Sequence, residues 1–142
     1  MVCTFFGHRN TSDEIAPQLK AQIIRLIEKE NVDRFLVGNN GSFDRIVREI
    51  LKEIKSLYPH VSFFIVLAYL PTEKDPLSTL DYENTIYADM PAGTPRRFAI
   101  NARNLFMIEK ADFVITHVTR SFGGAAKHKE IAEKRKKTVI NI

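Results

Sequence analysis

The chain has one cysteine, no tryptophan, and only six glycines and six prolines in 142 residues. A lone Cys3 cannot close an internal disulfide, which points to a reducing compartment. No apolar run approaches the roughly 20 residues that cross a bilayer as a helix. The opening stretch, MVCTFFGHRN, has no basic leader followed by a long apolar segment. These absences predict a cytoplasmic protein with no membrane partner that starts at its mature N-terminus. Metal chemistry is equally unsupported. His8, His60, His117 and His128 show no ligand spacing such as H-x-x-x-H, and one thiol cannot build a zinc centre. No metal site and no required cofactor are expected. Ser42 and Ser121 lack the G-x-S-x-G elbow of a serine nucleophile.

What is present suits one globular domain over residues 1–142, with 44% hydrophobic and 27% charged residues. The net charge of +4 and isoelectric point near 9.3 raise nucleic acid as a partner. Much of the excess, however, lies in KHKEIAEKRKK, Lys127–Lys137, where cations near a helix C-terminus are ordinarily solvated. The sequence also shows no basic residues interleaved with aromatics of the kind a single-strand platform needs. Nucleic acid therefore ranks below a small anion.

Apolar spacing divides the chain into alternating strands and helices. Val2–Phe6 reads as a buried strand ending at Gly7, and Thr11 or Ser12 can cap the following helix. Ile15, Leu19, Ile23, Leu26 and Ile27 mark that helix's inner face up to about Glu30. Phe35–Val37 is a second strand. Phe43, Ile46, Val47, Ile50, Leu51, Ile54 and Leu57 form the cleanest helical stripe, closed by Pro59. Val61–Tyr69 is a third strand. Leu70–Thr94 breaks the rhythm with Pro71, Pro76 and Pro91, and reads as an irregular lid or interface loop. A helix over Pro95–Lys110, a strand over Asp112–Val118, a helix over Ala125–Lys136 and a strand over Thr138–Ile142 complete the pattern. The expected architecture is a Rossmann-like three-layer α/β/α sandwich with a mostly parallel five-stranded sheet.

Ligands of such sheets bind outside the C-terminal strand ends, which directs attention to four loops. In the first, Gly7 permits a sharp turn, His8 can line the cleft, as can His117 with His128 nearby, and Arg9 can grip a phosphate or carboxylate. In the second, Gly38, Asn39, Asn40 and Gly41 tolerate positive φ, so their amides can form an anion or ribose site, while Ser42 and Asp44 can cap the next helix or touch the ligand. The fourth, Thr119–Ala126, enters a helix through Gly123 and Gly124, where a phosphate can approach the amides of Ala125 and its neighbours. Glu130 follows on the same helix, facing the ligand or paired with Lys127 or Lys134. In the long third loop, Tyr69, Tyr82 and Tyr87 offer stacking faces, and Asp81 or Glu83 offers contacts to sugar hydroxyls. Dimer contacts suit that loop equally well. Arg96 and Arg97 oppose the positive end of their helix dipole, as an anion or acidic neighbour would allow.

Arg103, Asn104 and Met107 share one side of their helix and lead into Ala111-Asp112, and Gly123, Gly124 and Glu130 follow in turn. In that order and spacing the chain resembles the SLOG superfamily (the Smf/DprA and Lonely guy proteins), most closely its YpsA-like members. The Lonely guy pattern is Arg-(Lys or Asn)-x-x-Met, then Ala-Asp, then G-G-x-G-T-x-x-E. The Gly7-His8-Arg9 and Gly38–Gly41 stretches resemble the N-terminal site loops of YpsA-like proteins. The resemblance implies a nucleotide, NAD or ADP-ribose type of ligand and a homodimer. It also implies that Arg103 and Glu130 are the catalytic pair of a nucleoside monophosphate phosphoribohydrolase, Arg103 holding substrate and Glu130 stabilising the ribosyl cation. Ala126-Lys127 stands where that pattern has Gly-Thr, and Ser121-Phe122 replaces the usual residues before the glycines. A ligand-binding or sensing role therefore ranks ahead of hydrolysis, and DprA-like nucleic-acid binding comes third.

Overall fold

The apolar alternation is realised as parallel strands joined by helices. The computed structural model describes residues 1–69, 84–88 and 90–142. The strands are β1 (Val2–Gly7), β2 (Arg34–Val37), β3 (Ser62–Leu67), β4 (Thr85–Tyr87), β5 (Phe113–His117) and β6 (Thr138–Asn141). The helices are α1 (Ala16–Glu30), α2 (Gly41–Leu57), α3 (Arg96–Lys110) and α4 (Gly124–Lys134), with a 3-10 turn over Asp13–Ile15 before α1. All strand pairs are parallel, and their order is β4-β3-β2-β1-β5-β6.

The sheet thus has six strands rather than five. The additional strand lies inside the stretch read as irregular, where Thr85, Ile86 and Tyr87 pair with Ile65, Val66 and Leu67. Three residues are too few to display a period of two, and only a neighbouring strand reveals them. Tyr69 and Tyr87 are described, whereas Asp81, Tyr82 and Glu83 lie outside the described residues. Among the described residues no helix is long and apolar enough to cross a membrane.

Alternation along each strand feeds two cores. Phe5, Phe35, Ile65 and Ile115 face α1 and α2 and meet Leu19, Ile23, Leu26, Phe43, Val47 and Leu51. Phe6, Leu36, Val66 and Val114 point the opposite way, toward Met107 and Ile108 of α3 and Ala132 of α4. The helix ends follow local chemistry. Ser12 Oγ accepts from the Glu14 N–H at 3.3 Å, Pro17 sits in the first turn of α1, and Asn31 closes it in the left-handed region at φ 56°.

Gly7 shows how closely the layers meet. It was expected to supply a turn, yet its φ is not positive. Its need is for space: a Cβ there would fall on the ring of buried Phe43. Gly7→Ala is therefore expected to cost about 1–3 kcal/mol through overpacking, measured by chemical denaturation. The loss should shrink in a Phe43→Leu background. An equal loss in both backgrounds would place the strain elsewhere.

Candidate functional site

Chain order reverses at β1. The chain moves from β1 through β2 and β3 to β4 on one side, then crosses to β5 and β6 on the other. The gap between β1 and β5 is thus the topological switch point. A cleft of about 230 Å³ opens there, walled by the loop after β1, the loop after β2, the middle of α3 and the start of α4.

The first two loops are fastened together before any ligand is considered. Ser42 N–H donates to Arg9 O at 2.8 Å. Ser42 Oγ lies 2.7 Å from Arg9 O and 3.0 Å from Thr11 O. Gly41 makes this approach possible, with φ +86° and a would-be Cβ 2.7 Å from Arg9 Cα. A second fastening spans the switch point, where His8 Nε2 accepts the Thr119 N–H at 3.2 Å. That bond places the proton of the neutral ring on Nδ1. Burial, with Arg120 and His117 nearby, pulls the His8 pKa below its usual range.

The floor of the cleft is the guanidinium of Arg103, which is 2% exposed. Its Nε donates to Asn104 Oδ1 at 2.8 Å. Nη1 donates to Asn39 Oδ1 at 2.8 Å and to Val66 O at 3.2 Å, and Nη2 to Asn40 Oδ1 at 3.0 Å. Burial lowers its pKa, while the nearby Asp44 carboxylate favours its charge. Asp44 is itself buried, and its Oδ2 accepts the Asn40 N–H at 2.9 Å. Desolvation pushes the Asp44 pKa up, against Arg103 and the Asn40 amide.

This arrangement corrects the expected use of the second loop. Among Gly38, Asn39, Asn40 and Gly41, only Gly41 has positive φ. The asparagines are there as acceptors for Arg103. Gly38 is there because a Cβ would lie 2.7 Å from Asp44 Oδ2 and 3.0 Å from Arg103 Cζ.

Of the residues singled out from sequence, Gly7, His8, Arg9, Asn40, Asp44, Arg103, Asn104, Gly124 and Ala125 line the cleft together. Gly38, Asn39, Gly41, Ser42 and Gly123 stand behind it and shape it. Gly123 caps α4 at φ +95°. Glu130 is not brought to Arg103: its carboxylate lies on the outer face of α4, 64% exposed and 2.9 Å from Lys134 Nζ. The periodicity of α4 allowed either face, and packing of Ala132 and His128 against the sheet turned Glu130 outward.

Of the other lining residues, Arg120 and Ile100 had no assigned role in the sequence reading, while His128 was expected near the cleft; His117, expected to line it, does not. Arg120 lies in the loop after β5, a position that signals the site once strand ends are known. Ile100 adds an apolar patch from α3. His128 stacks on Phe6 with ring centroids 5.4 Å apart and lies 2.7 Å from Gly124 O through Nδ1. Its pKa is lowered, chiefly by burial. Among the described residues, three arginines, Arg9, Arg103 and Arg120, thus line the cleft with one acidic residue, Asp44.

Elsewhere, several arginines lie on aromatic rings. Arg120 Cζ is 5.1 Å from the Phe122 ring, Arg97 Cζ 4.7 Å from Phe98, and Arg96 Cζ 4.1 Å from Tyr69. Phe122 and Phe98 are 67% and 53% exposed. Basic residues paired with exposed aromatics, which the sequence seemed to lack, are therefore present. They are contributed by separate loops and helix ends. Arg96 and Arg97 find ring faces where an anion or acidic neighbour had been expected. Among the described residues no three His, Cys, Asp or Glu side chains gather in a metal-binding group.

His8 and His128 both have depressed pKa values, so an unfolded chain takes up protons first as pH falls. Stability is then full above about pH 6.5 and declines as pH drops through the lower folded-state values. Thermal unfolding between about pH 8 and pH 5 should show this decline. His8→Gln, which keeps an acceptor near the Thr119 N–H, should flatten it. A melting temperature constant over that range would contradict the assignment.

No family model matches the sequence, and no curated protein sequence matches it. Among solved structures, the chain is similar to the X-ray structure of DNA processing protein A (DprA) from Streptococcus pneumoniae, with a TM-score of 0.70 at 18% identity. The alignment covers 96% of this chain and 48% of that one, so the chain spans about half the length of DprA. The likeness is one of fold: a parallel α/β domain of Rossmann type.

Proposed function

We propose that this chain is a SLOG-type binding domain whose cleft takes a nucleotide-derived small anion of the NAD, ADP-ribose or nucleoside monophosphate kind. The observation that carries the reading is the cationic cleft at the switch point. Arg9 and Arg120 flank the N-terminus of α4, where Gly124 and Ala125 line open space. First-turn amides carry partial positive charge and suit a phosphate. Phe6, Ile100, Met107 and His128 form an apolar wall for a flat, less polar portion of the ligand.

Binding ranks above turnover on the placement of the carboxylates. Ribosyl transfer calls for a carboxylate against the developing oxocarbenium ion. Glu130 is outside the cleft, and Asp44, the single lining carboxylate among the described residues, is turned to the Asn40 amide.

A second reading, single-stranded nucleic acid, is favoured by the exposed Phe122 and Phe98 with their guanidiniums. Bases stack on such rings while cations follow the phosphates. The fold shared with half of a protein described as a DNA processing protein agrees with it.

Calorimetric titration with AMP, ADP-ribose and NAD, followed by chromatography for released base, tests the first reading. Saturable binding without released base is expected. Gly124→Asp, which sets a carboxylate in the mouth of the cleft, should abolish binding, and Glu130→Gln should leave it unchanged. Base release that vanished in Glu130→Gln would establish the hydrolase. Absence of binding to all three would sink the small-ligand reading. Oligothymidylate binding that weakened steeply between about 50 and 200 mM salt, and was lost in Phe122→Ala, would put the second reading first.

A further inference from the structure

We infer that Arg103 is a positioning residue that turns the polar wall of the cleft into a row of hydrogen-bond donors, so that the site selects keto-bearing over amino-bearing bases. The inference rests on the nucleotide reading above and deepens it.

A guanidinium has five N–H donors and no acceptor. An asparagine amide has an oxygen on one side and NH₂ on the other, and only the oxygen can face a guanidinium. Arg103 contacts three such amides, Asn39 and Asn104 at 2.8 Å and Asn40 at 3.0 Å. The chemistry of one side chain therefore fixes the orientation of all three. Asn40 and Asn104 also line the cleft. With their oxygens committed inward, their NH₂ groups are what remains for a ligand.

Among the described residues Asp44 is the one carboxylate in the rest of the wall, and His8 shares the polarity of the amides. His8 Nε2 is occupied as an acceptor by the Thr119 N–H, which leaves Nδ1–H. Asp44, the lining carboxylate, has Oδ2 engaged by the Asn40 N–H. Among the described residues no buried side-chain nitrogen or oxygen lacks a partner, so the amide nitrogens are either engaged or open to solvent.

A ligand amino group, such as the 6-amino group of adenine, meets donors on this wall and must give up its hydration without replacement. A 6-keto oxygen meets partners. The discrimination expected from one hydrogen bond to a neutral group is about three- to tenfold in Kd.

Inosine and adenosine 5′-monophosphates exchange a 6-keto oxygen for a 6-amino group and, with it, an N1–H for an acceptor N1, so titration of the intact chain with each reads, as a ratio of affinities, a wall that meets the 6-substituent. The wild type is expected to favour the inosine nucleotide by about three- to tenfold. Asn104→Asp keeps an acceptor for Arg103 Nε and exchanges the outward NH₂ for an oxygen. It should bring the ratio to one or reverse it, with the melting temperature little changed. The added charge weakens both nucleotides alike and cancels in the ratio. Arg103→Gln, which frees the amides to rotate, should also erase the preference. If that variant fails to fold, Asn104→Asp carries the test. Equal affinity in the wild type, or a ratio untouched by Asn104→Asp, overturns this inference while leaving the nucleotide reading intact. Binding of neither nucleotide overturns both.

Discussion

A guanidinium under a loop, almost sealed from water, sets the terms for everything around it. Removing a charge from solvent is expensive unless it is surrounded by partners, and a buried charge stripped of one partner costs about 3–5 kcal/mol. Arg103 is matched on several sides at once: by the Val66 carbonyl from β3, by Asn39 and Asn40 from the next loop, by its neighbour Asn104, and by the Asp44 carboxylate nearby. One side chain of α3 thereby ties together the second loop and the end of β3. The composition of that loop follows. Amides are needed as neutral acceptors, and glycine is needed at 38 because a Cβ there would meet Asp44 Oδ2 and the Arg103 guanidinium.

The same cleft is bounded by contacts within the protein that decide its shape. Gly41 and Ser42 hold the backbone of Arg9 against the start of α2, and His8 holds the loop after β1 to the loop after β5. These fastenings span the point where the chain reverses direction across the sheet. The opening there is a consequence of topology, since neighbouring crossovers leave in opposite directions. Its charge is a consequence of which residues follow the strands: Arg9 after β1 and Arg120 after β5.

Residue identity and residue placement part company most clearly on α4 and at the exposed aromatic rings. Glu130 stands at the spacing that the Lonely guy pattern gives its carboxylate, yet its side chain pairs with Lys134 on the solvent face. A motif records separation along the chain, and one face of a helix differs from another by packing alone. Conversely, Arg97 with Phe98 and Arg120 with Phe122 are close neighbours in sequence, and it is the fold that leaves their rings exposed.

The alternation of strands and helices, the two apolar faces of the sheet and the strand-end loops were all legible in the residues, because burial enforces periods of two and 3.6 wherever an element is long enough to show them. So was the cluster Gly7, His8, Arg9, Asn40, Asp44, Arg103, Asn104 and Gly124, since a parallel sheet must bring its C-terminal loops to one edge. Tertiary structure alone decided the rest. Pairing with β3 made a strand of Thr85–Tyr87. The proximity of Phe43 and of the Arg103–Asp44 pair gave Gly7 and Gly38 their reasons. The burial of Arg103 made the asparagines acceptors where free backbone conformation had been expected. Each of these depends on atoms brought close from distant parts of the chain, which no local stretch of sequence specifies.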